Sequence, residues 1–365
     1  MKVLYLTRES DLPETHLMIG LQAAGFEGSV MGSLLPALEA KVRQAGLLTE
    51  LLEIRSRLDA AAVRRVRQRI REWRPDIVQC FTSRALTCAL ASRLPADVCL
   101  VAYRGAIGRL SRFDPANVFG VFHRRVDGIL CLSDSIVEAL AARGVPRSKL
   151  FKIHKGHEPS WYPAEPSERR RDPSEFVIGF IGNMRRVKGA HVLLEAARHL
   201  DSRLKYRLVL IGEILDPLAR ELIRSPEHAG RIEAPGFVPD AFRRIREFDV
   251  LVVPSLEGEG LSKAAIEAMA QRVPVVASAS GGLVELVEDG VSGRLVPPGN
   301  PNELARVLMD LAGDPAARER LAEAAYARIT REYHISRTVQ QVAEIYRLLR
   351  SARPARKSSR GILPS

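Results

Sequence analysis

Short apolar segments alternate with longer amphipathic segments along almost the whole 365-residue chain. In the first half, strands are predicted near residues 2–6, 76–80 and 98–103, and a long helix is predicted at 59–73. Alternation of this kind is typical of βαβ units, in which parallel strands are buried between layers of helices. The sequence therefore predicts an α/β fold built from doubly wound parallel sheets.

The alternation is interrupted once, by a segment that holds four prolines and the charge run Glu-Arg-Arg-Arg-Asp at 168–172. Such a composition is typical of a linker, and the chain is long enough for two domains. Ligands of such sheets bind outside the carboxyl ends of the strands, so the site is expected in the cleft between the domains. We predict a Rossmann-like first domain at 1–156, a linker at 157–174 and a Rossmann-like second domain at 175–334. A helix at 335–351 is predicted to cross back to the first domain, and a basic tail at 352–365 is predicted to be disordered.

The composition is that of an ordinary globular protein, with 46% hydrophobic residues. No apolar run approaches the roughly 20 residues that span a bilayer, and the N-terminus lacks the apolar core of a signal peptide. We therefore expect a cytoplasmic protein, with peripheral contact at the inner face of the cytoplasmic membrane left open. The four cysteines lie in apolar surroundings without a Cys-x-x-Cys, which favours buried thiols over disulfides or zinc.

The net charge of +12 is unevenly distributed, since residues 1–172 hold 27 Lys and Arg against 19 Asp and Glu. This asymmetry favours an acidic partner for the first half. Six arginines lie between residues 60 and 74, on a helix whose apolar stripe includes Val66 and Ile70. The basic face is either solvated, or in contact with anionic lipid or a phosphorylated lipid acceptor. No nucleic-acid-binding module is recognisable, so nucleic acid is not an expected partner.

Two glutamates eight residues apart, Glu259 and Glu267, stand in a glycine-rich turn and the helix predicted to follow it. A turn that leads into a helix start offers free N–H groups and a positive dipole end to an anion. If 259–267 were entirely helical, the two carboxylates would lie about 12 Å apart and roughly 80° around the axis. That spacing suits a nucleotide-sugar, with hydroxyls at both ends and a diphosphate between them. The alternative is two solvated or helix-capping acids.

A second motif, Gly179 to Gly189, begins within the first predicted strand of the second domain. Gly182 would let a ligand approach the backbone closely, and Arg185 and Lys188 could clamp a diphosphate. The alternative is a solvated basic helix cap beside a tight turn. The sequence contains neither Gly-x-Gly-x-x-Gly nor a Walker Gly-Lys-Ser/Thr, which argues against the usual dinucleotide and P-loop sites.

Together these motifs resemble those of the GT-B glycosyltransferases, in particular the large retaining family 4. The resemblance covers residues 150–350 well and the first half only in architecture. The matching motifs are Lys188-Gly189, Pro254-Ser255, Glu259-Gly260, Glu267-Ala-Met-Ala270, Pro274-Val-Val-Ala-Ser278 and Gly281-Gly282 with Glu285. One departure is Asn183, where the family usually has arginine, and Arg185 is expected to take over its phosphate contact.

The resemblance also implies a role for each site residue. Glu267 would bind the ribose, Arg185 and Lys188 would act on the diphosphate, and Glu259 would hold the transferred sugar. The backbone of Gly260, Leu261 and Ser262 in the turn would assist Glu259. The segment Gly236, Phe237 and Val238 would line the base pocket.

The acceptor side is less defined. Many relatives carry a histidine in the loop after the strand at 98–103, whereas this chain has Arg104 and Gly105 there. These residues either face the cleft and shape an acceptor site, or lie in solvent. No Asp-x-Asp is present to hold a divalent metal, so we expect no metal and no cofactor.

The function expected from the resemblance is transfer of a sugar, with retention, from a UDP-, GDP- or ADP-sugar to a glycan or glycolipid. A lipopolysaccharide core is one such acceptor. Two alternatives remain at this stage. One is a nucleotide-sugar epimerase or phosphorylase on the same fold, and the other is a non-catalytic protein that binds nucleotide-sugars.

Overall fold

The structure, a computed structural model, describes residues 1–34, 36–56, 59–107, 118, 120–162, 174–257 and 259–353. Most of the predicted linker and the tail beyond residue 353 lie outside the described residues. None of the helices within the described ranges is long and apolar enough to cross a membrane.

The first sheet has seven parallel strands in the order β3-β2-β1-β4-β5-β6-β7. Its strands are β1 Lys2–Ser10, β2 Glu27–Leu34, β3 Leu48–Glu50, β4 Ile77–Cys80, β5 Cys99–Arg104, β6 Gly128–Cys131 and β7 Leu150–Lys152. The helices that accompany them are α1 Leu12–Ala23, α2 Pro36–Gln44, α3 Ala60–Trp73, α4 Ser83–Ala91 and α5 Asp134–Ala141.

The second sheet has six parallel strands in the order β10-β9-β8-β11-β12-β13. Its strands are β8 Phe176–Ile181, β9 Tyr206–Ile211, β10 Ile232–Gly236, β11 Val250–Val253, β12 Val275–Ser278 and β13 Arg294–Val296. The remaining helices are α6 Ala190–Ala197, α7 Pro217–Ile223, α8 Lys263–Ala270, α9 Leu283–Leu286, α10 Pro301–Gly313, α11 Pro315–Glu332 and α12 Ile335–Ser351. The predicted fold class, two doubly wound parallel sheets, is confirmed.

The sequence explains both the strands and the helix starts. The central strands β4, β6 and β11 are buried along their whole length, as expected when helices cover both faces of a parallel sheet. Several helices begin at a side chain that accepts a hydrogen bond from a free N–H of the first turn. Asp11 caps α1, Asp59 caps α3 and Ser262 caps α8 in this way. All four cysteines are buried thiols.

The C-terminal helix α12 packs against the first domain, chiefly on α1. Its Tyr346 hydroxyl donates to Gln79 Oε1 at 3.2 Å, and Gly20 of α1 leaves room for Val339. The two segments that connect the domains are also bonded to each other. His157 N donates to the Tyr333 carbonyl at 2.7 Å, and the His157 carbonyl accepts from the backbone N of residue 335 at 3.0 Å. The two connecting segments, around His157 and around residues 333–335, therefore cross between the domains side by side, and we call them the strap.

His157 lies at the centre of this strap. Its side chain is fully buried, and its Nδ1 is 2.6 Å from the Tyr162 hydroxyl. Burial lowers the pKa of His157 to about 3, so its imidazole is neutral near pH 7. A second contact between the domains lies at Glu285, whose carboxylate is 3.0 Å from Lys152 Nζ and accepts from Ser135 N at 3.3 Å.

Candidate active site

A cavity of about 680 Å³ lies between the two domains, at the carboxyl ends of strands from both sheets. Parallel sheets place their ligands at this edge. Ten of the residues predicted from the sequence line the cavity, namely Gly182, Asn183, Arg185, Lys188, Phe237, Val238, Glu259, Leu261, Ser262 and Glu267. Residues distant in sequence, from the loops after β8, β10 and β11, therefore meet at one place.

The loop of residues 182–189, which follows β8, presents the two predicted cations; we call it the cationic loop. Lys188 N donates to the Arg185 carbonyl at 2.8 Å, which closes a short turn between the two side chains. Gly189 ends the loop at a φ of +68°, and a Cβ there would lie 1.9 Å from the Pro254 carbonyl oxygen. Only glycine permits this close packing, so the loop is fixed against the segment that follows β11.

Glu259 is held by two partners on the cavity wall. One of its carboxylate oxygens, Oε2, accepts from Lys188 Nζ at 2.6 Å and from the Ser255 hydroxyl at 2.8 Å. The Glu259 residue is only 8% exposed. A charge-assisted pair of this kind fixes both the cation and the carboxylate at the cavity surface.

Glu267 is more deeply buried, with 4% of the residue exposed. Its Oε1 has no hydrogen-bond partner among the described residues, and the nearest cation, Lys263 Nζ, is 3.6 Å away. Burial raises the pKa of Glu267 to about 7, although Lys263 opposes this shift. A buried carboxyl oxygen with no partner is costly, so this wall of the cavity suits a ligand that brings hydroxyl donors.

Residues 259–267 are not entirely helical, which was the condition for the calculated spacing of the two glutamates. Helix α8 begins at Lys263, after the Ser262 cap, so Glu259 lies in the preceding loop and only Glu267 is on the helix. The Ser262 side chain accepts a hydrogen bond from Ala265 N, and this cap fixes the N-terminal end of the helix. The distance calculated along a helix therefore does not apply, although both carboxyl groups face the same cavity.

Four predicted site residues do not line the cavity: Gly236, Gly260, Arg104 and Gly105. Gly260 instead packs against the first domain, since a Cβ on it would lie 1.9 Å from the Gly105 carbonyl oxygen. Arg104 donates to the Ile107 carbonyl at 2.6 Å, while its Nε has no partner among the described residues. The structure thus brings the loop after β5 to the turn that holds Glu259 and Gly260, but turns the Arg104 guanidinium back on its own loop.

The sequence interpretation missed the wall that the first domain contributes, Asp11 and Leu12. Asp11 caps α1 and forms an ion pair with Lys155. Neighbouring Glu14 has a pKa raised to about 8, first by burial and then by Asp11. A signal was available, because Asp11 lies between the strand predicted at 2–6 and Pro13, where a helix start at the carboxyl edge of the sheet is expected.

Within the described ranges, no three His, Cys, Asp or Glu side chains converge as metal ligands. The cationic groups on the cavity wall are side chains of the protein, and they include Arg185 and Lys188.

Two family models match the chain. Residues 175–314 match the family described as Glycosyl transferases group 1, and residues 15–161 match Glycosyltransferase Family 4. Together the two matches cover most of both domains. The chain belongs to the group 1 glycosyltransferases. The family recognised from the sequence motifs is thereby confirmed.

Curated relatives of this group 1 glycosyltransferase include the putative colanic acid biosynthesis glycosyltransferase WcaL of Escherichia coli (strain K12). The two are 32% identical over 195 residues, which is 51% of this chain and 47% of WcaL. The D-inositol 3-phosphate glycosyltransferase of Corynebacterium urealyticum is 36% identical over 186 residues, 47% of this chain and 43% of that protein. The chain thus spans about half the length of these relatives.

Solved structures establish the fold of this family member as GT-B. The structure of Anabaena Alr3699/HepE in complex with UDP aligns with a TM-score of 0.79 at 23% identity, over 95% of this chain and all of that one. The apo form of the lipopolysaccharide outer core galactosyltransferase WaaB aligns with a TM-score of 0.67 at 16% identity, over 94% of this chain and 98% of that one.

Proposed function

We propose that this protein transfers a sugar from a nucleoside-diphosphate sugar to a hydroxyl group of a glycan or glycolipid. The observation that carries the proposal is the single cavity in which Arg185, the Lys188–Glu259 pair and Glu267 meet. Two cations suit the diphosphate, and two carboxyl groups suit the hydroxyls on either side of it. The first domain supplies the opposite wall, where an acceptor would enter.

In the proposed reaction the bond between the anomeric carbon and the diphosphate oxygen breaks, and the diphosphate leaves with the electron pair. The acceptor oxygen forms the new bond to the same carbon, and its proton passes to the departing diphosphate. Arg185 and Lys188 would stabilise the negative charge that develops on the leaving group, without a metal ion. Preorganised donors of this kind are each worth roughly 10²–10³ in rate. Retention of the anomeric configuration is part of the proposal, on the basis of the family resemblance.

The relatives suggest the substrate class. HepE of Anabaena was solved with UDP and with UDP-glucose, and WcaL is named for colanic acid biosynthesis. We therefore place UDP-hexoses first among the donors, with GDP- and ADP-sugars as the alternatives, and a polysaccharide or lipopolysaccharide precursor as the acceptor. Exposed Phe237 at the mouth of the cavity offers an aromatic face to the base.

Nucleoside diphosphates should stabilise the protein, because a ligand at 100 times its dissociation constant adds about 2.7 kcal/mol to the free energy of unfolding. The thermal midpoint is measured with UDP, GDP, ADP and TDP, each with and without EDTA. We expect one nucleotide to raise the midpoint, with no effect of EDTA. The same nucleotide should stabilise Lys188→Ala by about half as much or less. It should act fully on Lys205→Ala, a lysine outside the cavity. The absence of any shift would contradict the proposed donor site.

Two alternatives make different predictions for the same cavity. An epimerase or phosphorylase would convert or cleave the nucleotide-sugar without an acceptor. A non-catalytic protein would bind the nucleotide and release nothing. Release of the free nucleoside diphosphate only when acceptor is present would support the transferase. The Lys188–Glu259 pair, on the wall proposed to bind the diphosphate, already favours the transferase over these alternatives.

We further propose a peripheral contact between the first domain and an anionic membrane. Leu48 and Leu51 are exposed at the edge strand β3 and beside it, in hollows also lined by four basic and three acidic residues, namely Arg43, Arg55, Arg65 and Arg69, and Glu50, Glu53 and Asp59. Exposed leucines flanked by arginines suit an interface with anionic lipid. The protein should co-sediment with vesicles containing 30% phosphatidylglycerol, and Leu48→Ser combined with Leu51→Ser should weaken this several-fold relative to wild type. Equal binding of both proteins would contradict this surface.

A further inference from the structure

A buried histidine–carboxylate pair lies behind the cationic loop, away from the cavity surface. His191 Nδ1, in the first turn of α6, is 2.8 Å from Asp216 Oδ2, and the two side chains are 5% and 4% exposed. The two atoms are not aligned for a hydrogen bond, so the contact is chiefly electrostatic. Neither residue belongs to the motifs by which the family resemblance was recognised.

Asp216 is tied to the cationic loop at two points. Its backbone N donates to the Met184 carbonyl at 2.7 Å. Its Oδ2 lies 3.9 Å from a guanidinium nitrogen of Arg186, one of the two residues between Arg185 and Lys188 in the loop's short turn. His191 follows the end of the loop, Gly189, by two residues. One buried carboxylate therefore faces both the middle of the loop and the helix that begins where the loop ends.

The second oxygen of Asp216 has a separate task. Asp216 Oδ1 accepts from Leu218 N at 3.2 Å and so caps α7. An asparagine at this position can keep the cap while it removes the charge that faces His191 and Arg186. The two tasks of Asp216 can therefore be separated by one substitution.

Three charged groups act on the His191 imidazole: Arg186 from the cationic loop, Asp216 from the loop before α7, and Glu195 from its own helix. Burial, followed by Arg186, lowers the pKa of His191, whereas Asp216 and Glu195 raise it. The imidazole is thus mostly neutral at pH 7 and gains a proton below its ordinary titration range. A protonated imidazole would add positive charge behind the loop.

We infer that His191 and Asp216 are positioning residues, which set the geometry and the charge of the cationic loop and so tune its affinity for a nucleoside diphosphate. The inference rests on the proposed function. Loss of the Asp216 charge frees Arg186 and loosens the turn that holds Arg185 and Lys188. Protonation of His191 strengthens binding of the anionic ligand, so affinity rises as the pH falls.

The test measures the dissociation constant by calorimetry at pH 5, 6 and 7, with whichever of UDP, GDP, ADP and TDP binds the wild-type protein most tightly. The variants are Asp216→Asn and His191→Gln. The matched control is His228→Gln, which alters another buried histidine of the same domain outside the cationic loop. The titration of the ligand's own terminal phosphate affects all four proteins equally.

We expect Asp216→Asn to weaken binding about tenfold at pH 7, as for residues coupled through one network. In the wild type and in His228→Gln, the dissociation constant should change with pH by more than the titration of the ligand's phosphate explains. His191→Gln should lack this additional change. If both variants lower the thermal midpoint but keep the wild-type affinity and pH profile, the pair is only structural and the inference is overturned. Should Asp216→Asn not fold, the pH profile of His191→Gln decides. A wild-type protein that binds none of the four nucleotides would overturn the proposed function as well.

Discussion

Substitution of Glu259 by glutamine is expected to lower the turnover of the donor about 10²–10³-fold, with little change in the thermal midpoint. The loss follows because the carboxylate holds Lys188 at 2.6 Å and provides the charged acceptor for the sugar hydroxyls. Glutamine has the same size and still accepts from Ser255, so the cavity wall should keep its shape. Initial rates of nucleoside diphosphate release, with saturating acceptor, measure the effect.

Lys188→Ala should cost a similar factor in turnover but differ in binding. Lys188 is assigned to the diphosphate, so this variant should bind the nucleoside diphosphate at least tenfold more weakly, whereas Glu259→Gln should bind it within a few-fold of wild type. The matched control is Arg306→Ala, which breaks the exposed ion pair with Glu303 in the same domain. Exposed pairs contribute little, so its rate should be that of wild type. Full turnover in Glu259→Gln would remove the residue from the proposed chemistry.

The double variant gives a further check on this pair. Residues in direct contact lose their effects non-additively, since the second substitution removes an interaction that the first has already broken. The combined loss in Lys188→Ala with Glu259→Gln should therefore be smaller than the product of the two single losses. A full product would mean that the two side chains act separately during the reaction, despite their contact in this structure.

The sequence was sufficient where the site is local. The motif that begins at Gly179 was predicted to start within the first strand of the second domain, and β8 Phe176–Ile181 lies there. The loop that follows β8 places Arg185 and Lys188 on the cavity. Short-range signals, a buried apolar run followed by a glycine, determine this geometry without reference to the rest of the chain.

The sequence was insufficient where the site depends on how the two domains face each other. Asp11 lies more than 170 residues before Arg185, and no periodicity relates them, yet both line the cavity. The sequence also left open whether α8 extends back to residue 259, because a serine cap and a continued helix differ by one side-chain hydrogen bond. Contacts of these two kinds are set by tertiary packing and by single polar atoms, which patterns of hydrophobicity do not record.

Counting charge gave only part of the electrostatic picture. The basic first half predicted an acidic partner, but the arginines of α3 include one paired with Glu50 and one, Arg67, bonded to the carbonyls of residues 91 and 92. The first-domain residue with a charge on the cavity wall is the acidic Asp11. A sum over the sequence records how many charges are present, whereas recognition depends on where they point.

Gly260→Ala is expected to reduce turnover about 100-fold while nucleoside diphosphate binding stays within a few-fold of wild type. A Cβ on Gly260 would lie 1.9 Å from the Gly105 carbonyl oxygen of the other domain, and that contact is with backbone, so a side-chain rotation cannot relieve it. The domains would have to separate by more than 1 Å at this point. A misplacement of that size can cost about 10²-fold when two reactants must be aligned.

Turnover and nucleoside diphosphate binding should respond differently to Gly260→Ala. The cations and carboxyl groups assigned to the donor lie on the second domain alone, so the donor site survives a displaced first domain. The first domain contributes Asp11 to the cavity wall, and the proposed function places the acceptor there, so sugar transfer should not survive the displacement. Gly313→Ala is the matched control, because a Cβ there meets no atom within 4 Å and the φ is not positive. If Gly260→Ala transfers sugar at the rate of Gly313→Ala, the close approach of residues 105 and 260 is not required in the reacting state, and the acceptor must be held in a more open cleft.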